Sequence, residues 1–185
     1  MKDYRLFDMF IDHQGRQIDK WEHYFPIYEK HFEKFRDTNV RVLEIGVDHG
    51  GSLQLWKRYF GRYATIIGVD NRPEVLFAEP QITTHQYDQC DPRIAELGPF
   101  DIVIDDGSHV KAHQERTFAN LWHHTRRIYL IEDCHDGYPN LQGVGPAVSY
   151  GYHSVGVLER ERRMIRGTPA RELRPDEVEA RKLYG

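Results

Sequence analysis

Apolar residues in this chain gather into short β-branched runs separated by stretches of helical spacing. Val40–Ile45, Ala64–Val69, Gln81–Gln86, Phe100–Ile104 and Ile128–Ile131 are four to six residues long and flanked by turn-forming residues, so each predicts a buried strand. Between them, Leu53–Phe60 and Val110–His124 space their apolar positions as helices do, with Ser52 placed to cap the first. Pro73–Phe77 predicts only a helical turn. Strand alternating with helix predicts an α/β fold with a mostly parallel sheet. Val148–His153 and Val155–Glu159 follow each other with almost no connector, which predicts a closing hairpin with one strand antiparallel to the rest.

The flanks read differently. Met1–Gln17 mixes polar and aromatic residues around Gly15 and predicts little regular structure. From Ile18 to Arg36, the aromatics Trp21, Tyr24, Phe25, Tyr28, Phe32 and Phe35 form one helical stripe. Pro26 interrupts it, predicting two short helices or one kinked helix whose stripe is core or a subunit contact. Arg160–Gly185 is a charged tail with a helical stretch near Pro175–Leu183. The expected organisation is one domain: a helical segment over 1–38, an α/β core over 39–160 and a tail over 161–185.

Composition narrows the setting. With 185 residues, 39% hydrophobic and 29% charged, the chain can bury a substantial core. No apolar run is long enough to span a bilayer and the first residues do not read as a signal peptide, so no membrane partner is expected. A formal charge of −4 offers no basic stripe for nucleic acid. Cys90 and Cys134 lack metal-type spacing and suggest a reducing cytoplasm.

Chemistry concentrates at the carboxyl ends of the predicted strands, where open α/β sheets bind ligands. The first strand leads into Glu44, Gly46, Gly50, Gly51 and Ser52, a glycine loop that lets backbone approach a small molecule. Asp70, 26 residues beyond Glu44, ends the second strand where an acid can accept both hydroxyls of a ribose. Asp88 ends the third and reads either as acceptor for an adenine amino group or as a turn residue. The fourth runs into Asp105-Asp106-Gly107-Ser108-His109 and the next into Glu132-Asp133-Cys134-His135. Adjacent parallel strands bring such ends together. Asp106, Glu132 and Asp133 therefore form a candidate hard, oxygen-rich site suited to Mg²⁺ or Mn²⁺.

Taken together, Leu43-Glu44-Ile45-Gly46-x-x-x-Gly50-Gly51-Ser52 and Gly68-Val69-Asp70 resemble the motifs of class I S-adenosylmethionine-dependent methyltransferases, a Rossmann-like fold. Ile104–His109 and Ile131-Glu132-Asp133-x-His135 resemble the metal-dependent sugar O-methyltransferases of antibiotic biosynthesis, as does Asp19-Lys20-Trp21 with Tyr28-Glu29. The resemblance implies S-adenosylmethionine at Glu44, Gly46, Gly50, Ser52, Asp70, Asp88 and Asp105, and magnesium at Asp106, Glu132 and Asp133. It implies a general base at His109, with His135 as the second candidate, and a glycosylated or polyhydroxylated small-molecule acceptor. A homo-oligomer is also expected.

Two departures stand out. Thr125-Arg126-Arg127 replaces the usual Gly-Gly turn, and only Gly137–Ala147 fills the place of a longer helical acceptor wall. The pocket is then more open, or closed by the amino-terminal helix or another subunit. A catechol acceptor, a non-catalytic binding subunit and a dinucleotide oxidoreductase are the competing readings. Against the last, Glu44-x-Gly46-x-x-x-Gly50 departs from Gly-x-Gly-x-x-Gly.

Overall fold

The computed structural model describes residues 5–141, 148–150 and 155–159. Strands β1 (Arg41–Ile45), β2 (Thr65–Asp70), β3 (Ala78–Glu79), β4 (Ile82–Gln86), β5 (Phe100–Asp105), β6 (Thr125–Ile131), β7 (Val148–Tyr150) and β8 (Val155–Glu159) form one sheet. Their order is β3-β4-β2-β1-β5-β6-β8-β7. From β4 to β6 every pairing is parallel, and β8 runs antiparallel to β6, as the hairpin pattern predicts. The antiparallel edge strand β3 is an addition that two residues of sequence could not announce.

Side-chain alternation fills both faces. Val42, Ile102, Ile104, Ile128 and Leu130 point into one core, while Leu43, Ile45, Val103, Tyr129 and Ile131 point into the other. Helix α4 (Lys111–Leu121) covers the second core with Phe118 and Leu121. The first lies under α1 (Leu6–Ile11), α2 (Phe25–Phe32) and α3 (Gly51–Phe60). There Tyr28 and Phe32 meet the Trp56 ring edge-on at 5.1 and 5.7 Å. The aromatic stripe is core, apart from the half-exposed Trp21 and Phe35, which packs partly buried against it.

Several local expectations are corrected. Helix α1 forms within a stretch expected to be irregular; Glu29 Oε2 accepts its first amide, Leu6 N, at 2.7 Å, and Leu6 is fully buried. Pro26 does stand where two short helices meet: a 3₁₀ turn over Glu22–Tyr24 runs into α2, and Pro26 lies in the first turn of α2, where its missing N–H costs nothing. Ser52 is not a cap, since α3 begins at Gly51 with Gly50 in the left-handed conformation as its N-cap. Thr125–Arg127 is strand and not a turn, with a register shift opposite Phe100–Ile102 absorbing the change. The tail, its helical stretch near Pro175–Leu183 and residues 142–147 lie outside the described residues. No helix among the described residues is long and apolar enough to cross a membrane.

The chain leaves β1 toward β2 and β4, then crosses back to β5 on β1's other side. Strand direction of travel reverses there, so the carboxyl ends of β1 and β5 part around a crevice.

Candidate functional site

A cavity of about 740 Å³ opens at that crevice and reaches from Asp70, Asn71 and Asp88 at one end to Asp106, His109 and Asp133 at the other. At the first end the backbone does most of the holding. Asp70 Oδ2 accepts Val47 N at 3.0 Å and Asp48 N at 3.2 Å, and Oδ1 accepts Arg72 N at 3.0 Å. The Arg72 guanidinium also pairs with Asp70 at 3.1 Å and reaches Asp48 at 3.3 Å. Burial works against the Asp70 charge, but these donors outweigh it and hold the carboxyl below its usual range. Asp88 reaches the rim, and its Oδ1 also accepts Cys90 N at 2.8 Å, so it is a turn residue as well.

Gly46 joins the two ends. Its φ is +91°, and a Cβ there would fall 2.1 Å from the carbonyl oxygen of Asp106. Gly50 and Gly51 answer to the chain itself: Cβ atoms there would strike Phe77, and the backbone of Arg16 and Gln17. Gln17 O accepts Gly51 N at 3.2 Å, so residues 16–17 cross over the loop. The expected cofactor residues Glu44, Gly50, Ser52 and Asp105 stand behind the lining and not in it. Glu44 is fully buried and accepts Ser52 Oγ at 2.8 Å and Trp56 Nε1 at 3.0 Å. Asp105 is fully buried between Gln89 and Tyr129, both at 3.4 Å. Burial, with the Asp106 charge adding to it and the Gly107 N–H opposing, pushes its carboxyl up to about 7.

At the other end side chains do the holding. Asp106, His109 and Asp133 offer ligand atoms all within 4.8 Å of one another. His109 Nε2 lies 3.9 Å from Asp133 Oδ2, while its Nδ1 is buried without a hydrogen-bond partner. Both residues are left-handed, His109 at φ 60° and Asp133 at φ 49°, a conformation that costs non-glycine residues energy and gathers at functional sites. Glu132, almost fully buried, faces inward: its Oε1 accepts Tyr28 OH at 2.7 Å and its Oε2 meets Lys20 Nζ at 3.0 Å. Tyr24 OH donates to Asp133 Oδ1 at 2.6 Å. His135 is exposed, its ring 5.8 Å from that of His109, and does not line the cavity.

Lys20 binds this end together. Its side chain is 3% exposed and its Nζ lies 2.5 Å from Asp106 Oδ2, 3.0 Å from Glu132 Oε2 and 3.2 Å from Glu44 Oε1. Burial alone lowers a lysine's pKa, yet the surrounding charges of Asp106 and Glu132 hold this one above its ordinary value. Burial and Asp106 push the Glu132 carboxyl up, with Lys20 opposing. The hydroxyls of Tyr24 and Tyr28 went unread in the sequence because their rings sit in an apolar stripe. The available signal was that a buried tyrosine hydroxyl needs a partner.

No protein-family model matches the chain. It is 43% identical over 159 residues, 76% of this chain and 40% of the relative, to the 8-demethyl-8-(2-methoxy-alpha-L-rhamnosyl)-tetracenomycin-C 3'-O-methyltransferase of Streptomyces olivaceus. To the mycinamicin VI 2''-O-methyltransferase of Micromonospora griseorubida it is 42% identical, covering 74% of this chain and 38% of that one. A solved structure of the mycinamycin-pathway methyltransferase MycE, in complex with Mg, SAH and mycinamycin VI, superposes with a TM-score of 0.70 at 29% identity, covering 98% of this chain and 60% of that one. The chain thus spans about two fifths of the length of these sequence relatives. Over most of its own length the chain is similar to these O-methyltransferases, and its mostly parallel α/β sheet is the Rossmann-like methyltransferase fold of MycE.

Proposed function

We propose that the chain carries the catalytic part of an S-adenosylmethionine-dependent, magnesium-assisted O-methyltransferase that acts on a hydroxyl of a glycosylated or polyhydroxylated small molecule. One observation carries this: a strand-end acid suited to ribose and a hard-ligand cluster share a single cavity, with Gly46 between them. The S-adenosylhomocysteine and magnesium bound by MycE support the same division of the site.

The residues present fit both groups. Asp70 and Asp88 would receive an adenosine's ribose and base, and Arg72, which pairs with Asp70, lines the same end. Asp106 and Asp133, backed by Glu132, supply hard carboxylate oxygens for a divalent ion. Bound there, that ion lowers the pKa of an acceptor hydroxyl and orients it. His109 lies 3.9 Å from Asp133 and takes the hydroxyl proton as general base; its placement in the lining favours it over His135. Trp21, 48% exposed in the lining, offers an apolar face to a sugar ring. Asp19 and Trp21 line this end of the cavity from the segment before α2. Free cysteines at Cys90 and Cys134 suit a cytoplasmic setting.

Calorimetry with S-adenosylhomocysteine, Mn²⁺ titration by electron paramagnetic resonance, and radiolabelled methyl transfer to glycosylated macrolides, free glycosides and catechols test the reading. Binding of both groups and transfer to a glycoside that stops in excess chelator is expected. Full turnover in chelator removes the metal role, and preference for catechols redirects the acceptor.

A further inference from the structure

The acidic end of the cavity has two sides. Its open side, where Asp106, His109 and Asp133 converge, is the one assigned to a metal ion above. Its inner side is already filled: Lys20 Nζ meets Glu44, Asp106 and Glu132, carboxylates from the ends of three neighbouring strands. Three carboxylates facing one another, Glu44 and Glu132 buried and Asp106 partly so, would repel without a cation, and such a group must bind a positive charge or a proton. Lys20 comes from the irregular segment before Glu22 and crosses 86 residues of sequence to Asp106 and 112 to Glu132. Asp106 faces both sides, one oxygen on Lys20 and the carboxylate within 4.8 Å of ligand atoms of His109 and Asp133.

We propose that Lys20 is a built-in counter-ion: its ammonium neutralises the inner side of the cluster, so that the fold does not depend on metal and the cluster accepts a single divalent ion on its open side. This rests on the transferase reading for the identity of that ion, and it makes Lys20 a positioning residue that acts through the carboxylates it holds. The tyrosine hydroxyls act with it, Tyr28 holding Glu132 and Tyr24 holding Asp133. Each leaves the acid's other oxygen with its own neighbour, Lys20 for Glu132 and His109 for Asp133. A lysine that simply stood in the ion's place would instead leave no site for it on the open side.

The test compares Lys20→Met and Lys20→Arg with the wild-type chain, reading thermal midpoints in EDTA and in millimolar Mn²⁺, and Mn²⁺ stoichiometry by electron paramagnetic resonance. The wild type is expected to melt at nearly the same temperature in both and to bind one Mn²⁺. Lys20→Met is expected to melt about 10 °C lower in EDTA, because breaking a buried ion network is costly, and to regain most of that in Mn²⁺. Lys20→Arg, which keeps the charge, stays near the wild type in both. Equal loss with and without Mn²⁺ shows packing alone and overturns the proposal, as does a Lys20→Met protein as stable as the wild type in EDTA. If Lys20→Met does not fold, Lys20→Met/Glu44→Gln carries one carboxylate fewer and is expected to fold; its failure also overturns it. Wild type that binds no Mn²⁺ is a separate result, and removes the metal-assisted reading on which the single-ion part stands.

Discussion

Asp70 and Asp106 follow strands that flank β1 on its two sides, yet they are held by opposite means. Asp70 is held by its neighbourhood: Val47 and Asp48 from the adjoining loop, and Arg72 two residues on. Asp106, Glu132 and Asp133 are held by side chains 86 to 112 residues away, in a segment that precedes the sheet altogether. A site built from backbone turns travels with the fold and can serve any adenosine ligand. A site built from distant side chains can be retuned one residue at a time without disturbing the sheet. In the proposed reading the first would take the ligand common to a large class of enzymes, and the second the ion and acceptor that distinguish one enzyme from another.

Separability is the first thing to break. Asp106→Asn is expected to lower methyl transfer by about 10³-fold or more, since it removes a hard ligand and the charge that faces the acceptor. S-adenosylhomocysteine affinity, read by calorimetry, should stay within about threefold of the wild type. A large loss of that affinity would mean that the two ends are one unit.

Gly46→Ala is the substitution expected to couple them. The new Cβ would lie 2.1 Å from the Asp106 carbonyl oxygen, at a φ of +91° that alanine rarely adopts. Backbone must shift on both sides of the crevice. Affinity for S-adenosylhomocysteine and for Mn²⁺ should fall together, with a stability loss of about 2 kcal/mol or more in urea melts. Loss of one without the other would show that Gly46 serves only that end.

The same contrast explains what could be read from sequence. The five parallel strands, the closing hairpin and Asp70 all rest on patterns a few residues long, and each is where its pattern places it. Asp106, Glu132 and Asp133 were foreseen as neighbours because adjacent strand ends must meet, but which oxygens face a ligand depends on Lys20, Tyr24 and Tyr28. Those contacts have no local signature; in the sequence the tyrosines belong to an apolar stripe. Glu44 shows the reverse error. Its place near the carboxyl end of β1 and before glycines marks a cofactor acid, while the fold turns it inward to Ser52, Trp56 and Lys20. Helix α1 escaped notice because it is six residues long and is held from outside, by Glu29 at its first amide and by Arg58 at the Met9 carbonyl.

Asp70→Asn probes the backbone-held end alone. S-adenosylhomocysteine should bind about tenfold more weakly, and Mn²⁺ unchanged. Stability should fall by about 1–2 kcal/mol at neutral pH, the scale of hydrogen bonds to a charged acceptor. Burial opposes the Asp70 charge, but Arg72 and the Val47 and Asp48 amides outweigh it and hold the folded carboxyl below its unfolded value, so that stability is full above the unfolded pKa near ~3.9. It is lost as pH falls from there through the lowered folded value. The gap between variant and wild type in urea melts should therefore be present at pH 7 and close in strong acid; a gap that widens in acid would contradict the assignment.

Trp21 gives the smallest effect and the finest distinction. It follows the buried Lys20 directly, so the ion network that fixes the lysine also fixes where the indole stands, 48% exposed in the cavity lining. A sugar face laid on that ring would gain roughly 0.5–1.5 kcal/mol, so Trp21→Ala should raise the KM of a glycosylated acceptor by about two- to tenfold. Trp21→Phe should recover most of it, and kcat should hold, because a flat apolar contact binds ground and transition states alike. If Trp21→Ala instead lowers kcat and leaves KM unchanged, the indole is serving Lys20 and the cluster behind it, and the acceptor's sugar lies elsewhere in the cavity.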